Sequence, residues 1–421
     1  RQVTMYVERF VTSLIVADGQ CRGVVAYDMT RGGFEAFAAD AVIIATGGAG
    51  RTYSNTTNAI ISTGYGAAMA YHAGAPLKDM EFVQFHPTGL YTTNILMTEG
   101  CRGEGAYLLN DLGERFMAKY APSVMELAPR DITARSIWTE ILEGRGIGGK
   151  DFVYLDLRHL GEQKIAEKLP GIRDLAIHFE GVDPVTDPVP IVPSQHYTMG
   201  GIDTDRDGVT RIPGLYAAGE CACVSVHGAN RLGGNSLLET IVFGRRAGKA
   251  AVAFLEGGGQ RPAPDAAARE ALAAVQERVD RLSRAAATED AYDIRADMIA
   301  TMKQNFGIFR EARQMQEGID KLLSLKERLA HIGLRHAGGP FNLDMIRTIE
   351  LEGMLDVALA TAVGASRRIE SRGSHARTDY PKRDDEHWLV HTLALYRPDG
   401  PPDLTNKPVA LGMFEPQERK Y

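Results

Sequence analysis

Four short motifs combine charged or imidazole side chains with glycine, a residue that lets the backbone approach a ligand closely. Imidazoles carry protons near neutral pH, and a guanidinium group binds a carboxylate through two parallel N–H groups. Each motif alone is a weak signal, but an anionic substrate would have to be held by local cations of this kind. The motifs are Gln84–Gly89 (QFHPTG), Thr98–Gly105 (TEGCRGEG), His196–Gly201 (HYTMGG) and His227–Ser236 (HGANRLGGNS).

Two apolar segments end in glycine-rich turns. Ala41–Ala45 leads into Thr46–Gly50, and Gly214–Glu220 repeats the pattern of a short apolar run, a glycine and then a carboxylate. An apolar strand followed by such a turn is typical of a buried parallel strand that meets a ligand at its carboxyl end. No G-x-G-x-x-G motif opens a helix in the sequence, so we expect the ADP-binding half of such a fold to lie outside it.

The elements before residue 195 are predicted to be mostly strands and loops. Residues 3–46 have the pattern of β-structure, with strands at Val11–Val16 and Val24–Tyr27. Short helical and loop signals alternate over residues 82–194. The proline-rich run Asp183–Pro193 predicts an extended crossing between domains, because proline favours extended backbone.

The later part of the chain is predicted to be helical. Ser236–Glu239 (SLLE) fits a capping box, so a helix is expected to begin there and to end at glycines 257–259. From about residue 265, apolar side chains recur three or four residues apart and predict packing stripes. These stripes comprise Leu272, Val275, Val279 and Leu282, and Leu355, Leu359 and Val363. The tail, 371–421, is predicted to be an extended cover, and its arginines are either a solvated face or a docking surface. Those arginines are Arg372, Arg377 and Arg383.

The composition excludes several classes of protein. The 421 residues correspond to two or three domains at about 150 residues each. Lys plus Arg number 47 against 54 Asp plus Glu, a net charge of −7 without a long basic run, so nucleic acid is not an expected partner. No stretch approaches the ~20 apolar residues of a membrane span. The four cysteines form no disulfide framework, Cys221 and Cys223 are a weak metal signal, and no iron–sulfur spacing is present.

In this order and at these separations, the four motifs resemble those of the flavoprotein subunit of succinate dehydrogenase and fumarate reductase. Further matching segments are Ala128–Asp131 (APRD), Ala218–Glu220 (AGE), Ser371–Arg377 (SRGSHAR) and Arg383–Trp388 (RDDEHW). The resemblance runs through the whole sequence and corresponds to roughly the last three-quarters of such a subunit. The remaining quarter of the family pattern, with its ADP-binding turn and the histidine that bonds covalently to flavin, is expected upstream of Arg1.

The resemblance implies an α/β fold, in which a Rossmann-like FAD-binding domain is interrupted by a capping domain. A helical domain and a C-terminal extension follow. The implied boundaries are 1–81 and 195–259 for the two segments of the FAD-binding domain, 82–194 for the capping domain, 265–370 for the helical domain and 371–421 for the extension.

The resemblance also implies a dicarboxylate site. One carboxylate would be held by His86 and Thr98, and the other by His196 and Arg231. Fixed guanidinium and imidazole donors suit this task because both ends of the substrate are anionic. Such a grip would twist the substrate so that one carbon faces the flavin for hydride transfer.

Arg130 is the implied proton-transfer residue. Arginine stays protonated well above neutral pH, so it cannot act alone as an acid or base. The resemblance implies a relay through Glu99 and Arg102, whose i, i+3 spacing would place both side chains on one face of a helix.

For FAD, the resemblance implies that Glu220 accepts a hydrogen bond from a ribityl or ribose hydroxyl. The helix that begins near residue 235 would direct its positive end at the flavin ring. The other implied cofactor residues are Gly47, Gly48, Gly50, Gly219, Asn235, Ser236 and Leu237. Where the family usually has an acidic residue after Thr-Gly, this chain has Tyr65.

The implied activity is the interconversion of succinate and fumarate with FAD as the two-electron carrier. Electrons would leave through a separate iron–sulfur subunit, then membrane anchor subunits and quinone, at the cytoplasmic face of a bacterial membrane. An L-aspartate oxidase shares the His-Pro-Thr and Thr-Glu-x-x-Arg-Gly-Glu-Gly motifs and is the alternative within the superfamily; Leu232–Asn235 (LGGN) and Ser371–Trp388 favour the dehydrogenase. A non-catalytic subunit is the alternative from another class.

Overall fold

A computed structural model of the chain describes residues 3–258, 265–336, 338–412 and 415–417. Within these ranges the chain forms sixteen strands and twelve α-helices. The strands are β1 (Arg9–Ala17), β2 (Gln20–Asp28), β3 (Phe34–Ala38), β4 (Val42–Ile44), β5 (Leu77–Lys78), β6 (Val83–Leu90), β7 (Tyr107–Leu109), β8 (Val153–Asp156), β9 (Val189–Thr198), β10 (Gly201–Asp203), β11 (Leu215–Ala217), β12 (Ala222–Cys223), β13 (Phe309–Arg310), β14 (Ala376–Arg377), β15 (Val390–Leu395) and β16 (Asp403–Pro408). The helices are α1 (Tyr65–His72), α2 (Gly100–Gly103), α3 (Met117–Tyr120), α4 (Arg130–Leu142), α5 (Glu162–Lys168), α6 (Pro170–Glu180), α7 (Asn235–Glu256), α8 (Asp265–Arg284), α9 (Ala291–Asn305), α10 (Ala312–Arg328), α11 (Leu343–Arg367) and α12 (Asp385–Trp388).

The chain begins with an antiparallel sheet in the order β1-β2-β3. A two-residue turn joins β1 to β2, with Asp18 and Gly19 both at positive φ (52° and 72°). Such a turn has the twist of the strands that flank it, and Asp-Gly adopts it at little cost. The β-structure predicted for this region is confirmed.

Strands β4 and β11 pair in parallel, with Ile44 opposite Ala217. The two glycine-rich turns that follow these strands therefore lie at one edge, where a ligand is expected in open α/β sheets. The parallel arrangement is as predicted, but the strand is not buried on both faces, since Ile43 is 42% exposed.

The segment between β6 and β9 builds a four-stranded antiparallel sheet in the order β6-β9-β8-β7. The proline-rich run ends inside this sheet, because Pro190 and Pro193 are residues of β9, which pairs on both sides. The predicted extended backbone is confirmed for residues 189–193, whereas residues 183–187 form a turn. Pro193 lacks an N–H to donate, and it falls where the β6–β9 register shifts between His86 and Gly89.

A mixed five-stranded sheet in the order β12-β10-β5-β15-β16 joins distant parts of the chain. Leu77 of β5 lies opposite Ile202 of β10 on one side and opposite Ala394 of β15 on the other. The C-terminal extension thus contributes two strands to the body of the protein. This sheet and α1 enclose a core that includes Leu77, Ile202 and Ala394.

Helices α9, α10 and α11 pack together around a second core, and α8 covers the β1-β2-β3 sheet. The apolar stripes predicted for this region are confirmed, since Val275, Val279, Leu355 and Leu359 are all buried. In the ranges that the structure describes, no helix combines the length and the apolar character needed to cross a membrane.

Helix α7 begins at Asn235, after Gly234 in the left-handed conformation (φ 80°), and ends before Gly257. The glycine at its end was predicted, but the capping box was wrong, because no side chain caps this helix. Glu239 is instead turned inward, where its carboxylate accepts a hydrogen bond from the hydroxyl of Tyr197.

The tail arginines are held inside the fold. Arg377 is bonded to Asp379 and its side chain is 1% exposed, and Arg372 is bonded to Glu370, which is fully buried. The prediction of a solvated face or docking surface is wrong for these two residues, because carboxylates of the same segment neutralise them in place. Arg383 is the most exposed of the three, with 32% of its side chain accessible.

Candidate functional site

Two histidines face each other on neighbouring strands. His86 lies on β6 and His196 on β9, and their ring centroids are 5.0 Å apart in an edge-to-face arrangement. Burial, followed by the mutual effect of the two rings and the charge of nearby arginines, lowers the pKa of His86 well below its usual value. Burial together with Arg130 and Arg231 lowers the pKa of His196 to about 3. Both imidazoles are therefore neutral at physiological pH.

The hydrogen bonds of His86 determine which ring nitrogen carries its proton. The backbone N–H of Thr88 donates to Nδ1 at 3.2 Å, so Nδ1 is the acceptor and Nε2 bears the hydrogen. Nε2 is buried and has no hydrogen-bond partner among the described residues. Because a buried donor without a partner costs about 1–3 kcal/mol, this N–H suits an acceptor supplied by a ligand.

The three predicted proton-transfer residues are adjacent, with Glu99 between Arg130 and Arg102. Nε and Nη2 of Arg130, the first residue of α4, lie 2.9 and 2.8 Å from Oε2 of Glu99. The other oxygen of Glu99 lies 3.8 Å from Nη2 of Arg102. Arg102 is 2% exposed, and burial lowers the pKa of its guanidinium. Glu99 is the most accessible of the three, with 43% of its side chain exposed.

Arg231 approaches the same space from the loop before α7. Its guanidinium lies over the ring of Tyr197, 4.4 Å from the centroid, and its Nη1 donates to the hydroxyl of Ser236 at 3.3 Å. Its Nε is buried and without a partner in the described part of the chain. Arg231 therefore has a free N–H with which to bind an anion.

Gln84 is a site residue that the sequence reasoning missed. It is fully buried; its Oε1 accepts from Nη1 of Arg130 at 3.2 Å, and its Nε2 donates at 2.7 Å to Asn230 and to the carbonyl of Arg231. One amide thus joins the two arginines on either side of the cleft. The signal was available, because alternate residues of a strand point to the same face and Gln84 precedes His86 by two.

Thr98 and Gly233 border the charged cluster. Thr98 follows a segment paired to β6, and its Oγ1 accepts from the N–H of Gly100 at 3.3 Å. A Cβ on Gly233 would lie 3.0 Å from Oε2 of Glu99 and 3.4 Å from Nη2 of Arg130. The absence of a side chain at Gly233 therefore leaves room for the Arg130–Glu99 pair.

A cavity of about 330 Å³ opens beside the ends of β4 and β11. Five of the eight candidate cofactor residues line it, namely Gly47, Gly219, Glu220, Ser236 and Leu237. Gly48 lies against it as well, because a Cβ there would be 2.2 Å from Oε1 of Glu220. Burial raises the pKa of Glu220 to about 7, although its Oε1 accepts a hydrogen bond from the N–H of Thr198 at 2.9 Å.

These residues fit a flavin dinucleotide. A carboxylate at a strand end can accept a hydrogen bond from a sugar hydroxyl, and the glycines let backbone contact the cofactor directly. The first turn of α7 adds a positive dipole end at Ser236 and Leu237. Two candidates lie elsewhere: Gly50 packs against Asn58 and Gln195, and Asn235 begins α7 outside the cavity lining.

Tyr65 has a packing role. Its hydroxyl donates to the carbonyl of Thr12 at 2.7 Å, and its ring stacks on Phe10. It thus connects α1 to β1. The cysteines Cys221 and Cys223 are buried free thiols, and burial raises the pKa of Cys221 to about 11.

Comparison with known proteins matches both parts of the chain. Residues 1–237 match the family model described as FAD binding domain, and residues 295–421 match the model described as Fumarate reductase flavoprotein C-term. The fumarate reductase flavoprotein subunit of Serratia sp. is 46% identical over 437 residues, which cover 100% of this chain and 72% of that protein. The succinate dehydrogenase flavoprotein subunit of Rickettsia bellii is 43% identical over 422 residues, covering 97% of this chain and 70% of that protein.

A solved structure gives the same result. A chain of Escherichia coli quinol fumarate reductase matches with a TM-score of 0.93 and 44% identity, covering 97% of this chain and 72% of that chain. The predicted family, fold class and FAD cofactor are confirmed by these matches. The chain belongs to the family of flavoprotein subunits of fumarate reductase and succinate dehydrogenase.

Proposed function

We propose that this chain interconverts succinate and fumarate. The observation that carries the proposal is the unpartnered Nε2–H of His86, which is fully buried near His196 and three arginines. A neutral donor surrounded by cations suits a dianionic substrate, because it binds an oxygen without adding a further charge. Bound FAD would supply the hydride acceptor or donor.

The two ends of the substrate are assigned to two sets of donors. His86 and Thr98 hold one carboxylate, and His196 and Arg231 hold the other. Arg231 offers its unpartnered Nε, and its position over the ring of Tyr197 limits the orientations of the guanidinium. Donors fixed in advance on β6, β9 and the loop before α7 lower the entropy cost of orienting the substrate.

The proton that accompanies the hydride passes through Arg130. A proton that leaves Arg130 is replaced from Glu99, whose Oε2 lies 2.8 Å away. Arg102, 3.8 Å from the other oxygen, keeps the Glu99 carboxylate beside Arg130, and the 43% exposure of Glu99 gives the relay contact with water. Gln84 holds the guanidinium of Arg130 from the opposite side.

For FAD, we assign hydrogen bonding of a sugar hydroxyl to Glu220. Contact with the cofactor is assigned to the glycines at 47, 48 and 219 and to Ser236 and Leu237.

Electrons reach or leave the cofactor singly, so we further propose an iron–sulfur subunit as partner and, through it, membrane anchor subunits and quinone. The solved quinol-fumarate reductase with menaquinol molecules, 44% identical to this chain, supports this assembly. We place the assembly at the cytoplasmic face of a bacterial membrane.

The variant Arg130→Lys tests the assignment. General acid–base catalysis contributes about 10²–10⁴-fold to rate, so we expect succinate-dependent dye reduction to fall by at least about 100-fold while succinate still binds. Arg145→Lys, in a capping-domain ion pair with Glu140, is the matched control and keeps full turnover. Full turnover in Arg130→Lys would contradict the proton-transfer role, and turnover of L-aspartate in place of succinate would contradict the substrate.

A further inference from the structure

Three strands of the five-stranded sheet bring Asp79, Ser225 and His391 together. Asp79 follows β5, Ser225 lies two residues after β12, and His391 is the second residue of β15. Nδ1 of His391 lies 2.6 Å from Oδ2 of Asp79, and Nε2 of His391 lies 3.3 Å from Oγ of Ser225. These contacts have the connectivity of a hydroxyl nucleophile, an imidazole base and an orienting carboxylate.

The hydrogen bonds run in the direction that such a site needs. The backbone N–H of Thr392 donates to Oδ1 of Asp79 at 3.0 Å, and the thiol of Cys223 lies 3.8 Å from Oδ2. A carboxylate only accepts, so Nδ1 of His391 carries the hydrogen and Nε2 is left as the acceptor facing Ser225. Asp79 is thereby fixed from two sides, and the imidazole is held in the tautomer of a general base.

The backbone at two of these residues is strained. Asp79 has φ 57° and Ser225 has φ 72°, in the left-handed region that residues other than glycine seldom adopt. Such strain is concentrated at sites where a side chain must be aimed in a fixed direction. His227, two residues after Ser225, lines the same cavity, and no hydrogen bond of its backbone N–H is found among the described residues.

The three residues line a cavity of about 550 Å³. Its wall also includes the apolar side chains of Phe82, Ile132, Trp388 and Val390. The further charged side chains in the wall are Asp131, Arg135, Arg372 and Arg383. His86, Thr98, His196 and Arg231, which form the dicarboxylate site, are not part of this wall, and neither is Glu220. The cavity is therefore distinct from the dicarboxylate site, and the apolar side chains of its wall leave room for a small acyl group.

We propose that Ser225 is the nucleophile of an acyl-transfer site that hydrolyses esters with a short apolar acyl group, an activity beyond the proposed function. Oγ of Ser225 attacks the acyl carbon while its proton passes to Nε2 of His391, and the ester C–O bond breaks as the alcohol leaves with that proton. Water then attacks the acyl-serine, giving its proton to His391, and releases the carboxylic acid and the restored hydroxyl. Atoms and electrons balance without an oxidant or a metal ion.

The test uses the FAD-loaded chain with p-nitrophenyl butyrate as substrate and a fluorophosphonate as covalent probe. We expect Ser225 to be phosphonylated in the wild-type protein, as located by peptide mass mapping. Ser225→Ala is expected to abolish labelling and to lower ester hydrolysis by at least about 100-fold, and His391→Gln to do the same while leaving Ser225 in place. Ser371→Ala is the matched control, because Ser371 lines the same cavity but donates to the carbonyl of Tyr380.

Succinate-dependent dye reduction is measured on every variant, so that the two activities are judged separately. Retained succinate turnover in Ser225→Ala with lost labelling supports the proposal. A wild-type protein that is not labelled at Ser225, or ester hydrolysis unchanged in Ser225→Ala or His391→Gln, overturns it. Labelling of Ser225 in the wild-type protein is itself a test, so the proposal can be refuted even if a variant fails to fold.

Discussion

Replacement of Gln84 separates substrate binding from turnover most directly. In Gln84→Leu, Nη1 of Arg130 loses an acceptor at 3.2 Å, and Asn230 and the carbonyl of Arg231 each lose a donor at 2.7 Å. Leucine is similar in size to glutamine, so the shape of the pocket is nearly kept. The side-chain donors assigned to the carboxylates, including Nε2 of His86, are not themselves replaced.

The size of the effect follows from these three bonds. A hydrogen bond to a charged group contributes about 1.5–3 kcal/mol, and about 1.4 kcal/mol is a factor of ten. If that energy keeps Arg130 aligned in the transition state, kcat falls by about 10- to 150-fold, while KM changes by less than about threefold. The two neutral bonds contribute about 1 kcal/mol each, so the free energy of unfolding falls by roughly 3.5–5 kcal/mol in all.

Steady-state succinate oxidation with a dye acceptor gives kcat and KM, and urea denaturation of the same samples gives the free energy of unfolding. Asn110→Leu is the matched control, because Asn110 is a buried amide next to β7 that donates to Glu114 and Glu140 and does not contact Arg130. We expect it to lose stability without a change in kcat. If Gln84→Leu instead loses stability and keeps kcat within about threefold, the amide does not position Arg130.

Three further predictions concern the cofactor site and the tail. Gly48→Ala places a Cβ 2.2 Å from Oε1 of Glu220 and should lower FAD retention by about 5- to 150-fold, because overpacking costs about 1–3 kcal/mol. The flavin-to-protein ratio measures this retention. Gly248→Ala, at a helical position with open space around it, is the control. Glu220 has a pKa of about 7 in the folded protein against 4.5 in the unfolded chain, so its contribution to stability is present below pH 4.5 and is lost as the pH rises to 7. In FAD-free protein, Glu220→Gln should therefore raise the free energy of unfolding by up to about 3 kcal/mol at pH 8 and leave it unchanged at pH 4. Equal effects at the two pH values would contradict this. Arg368→Met leaves the fully buried carboxylate of Glu81 without its cation, while Glu370 keeps Arg372. We expect a cost of about 3–5 kcal/mol, measured by chemical denaturation, and a loss below about 1 kcal/mol would contradict the role of this buried ion pair.

Part of the fold follows from local patterns. The first two strands, the glycine-rich turns after β4 and β11 and the apolar stripes of α8 and α11 depend on residues close in sequence, and each was predicted. The pairing of β4 with β11 joins distant parts of the chain and was not. The place of the proline-rich run inside a sheet and the conformation of the SLLE segment were not predicted, because both depend on partners distant in sequence. Pro190 and Pro193 lie in an inner strand since β6 and β8 both pair with it, and Glu239 is turned inward by Tyr197.

The candidate site was likewise predictable only where the signal lay in neighbouring residues of the sequence. Motifs that combine glycine with charge singled out His86 and His196, and the family resemblance implied Arg130. Gln84 and Asn230 were not singled out, since an amide is a common residue and its role depends on partners about 150 positions away. The group formed by Asp79, Ser225 and His391 had no sequence signal, because only the five-stranded sheet brings its members together.

That sheet also sets the order in which the protein can be completed. Strand β5 pairs with β15, and Asp79 and His391, which touch, are separated by 312 positions along the chain. At about 5–20 residues per second, ribosomal synthesis separates their appearance by roughly 15–60 s. During that interval an edge of β5 beside the fully buried Leu77 has no partner strand, and unpaired edges promote association with other chains. A chain without β15 and β16 would therefore aggregate during synthesis before any loss of activity could be measured.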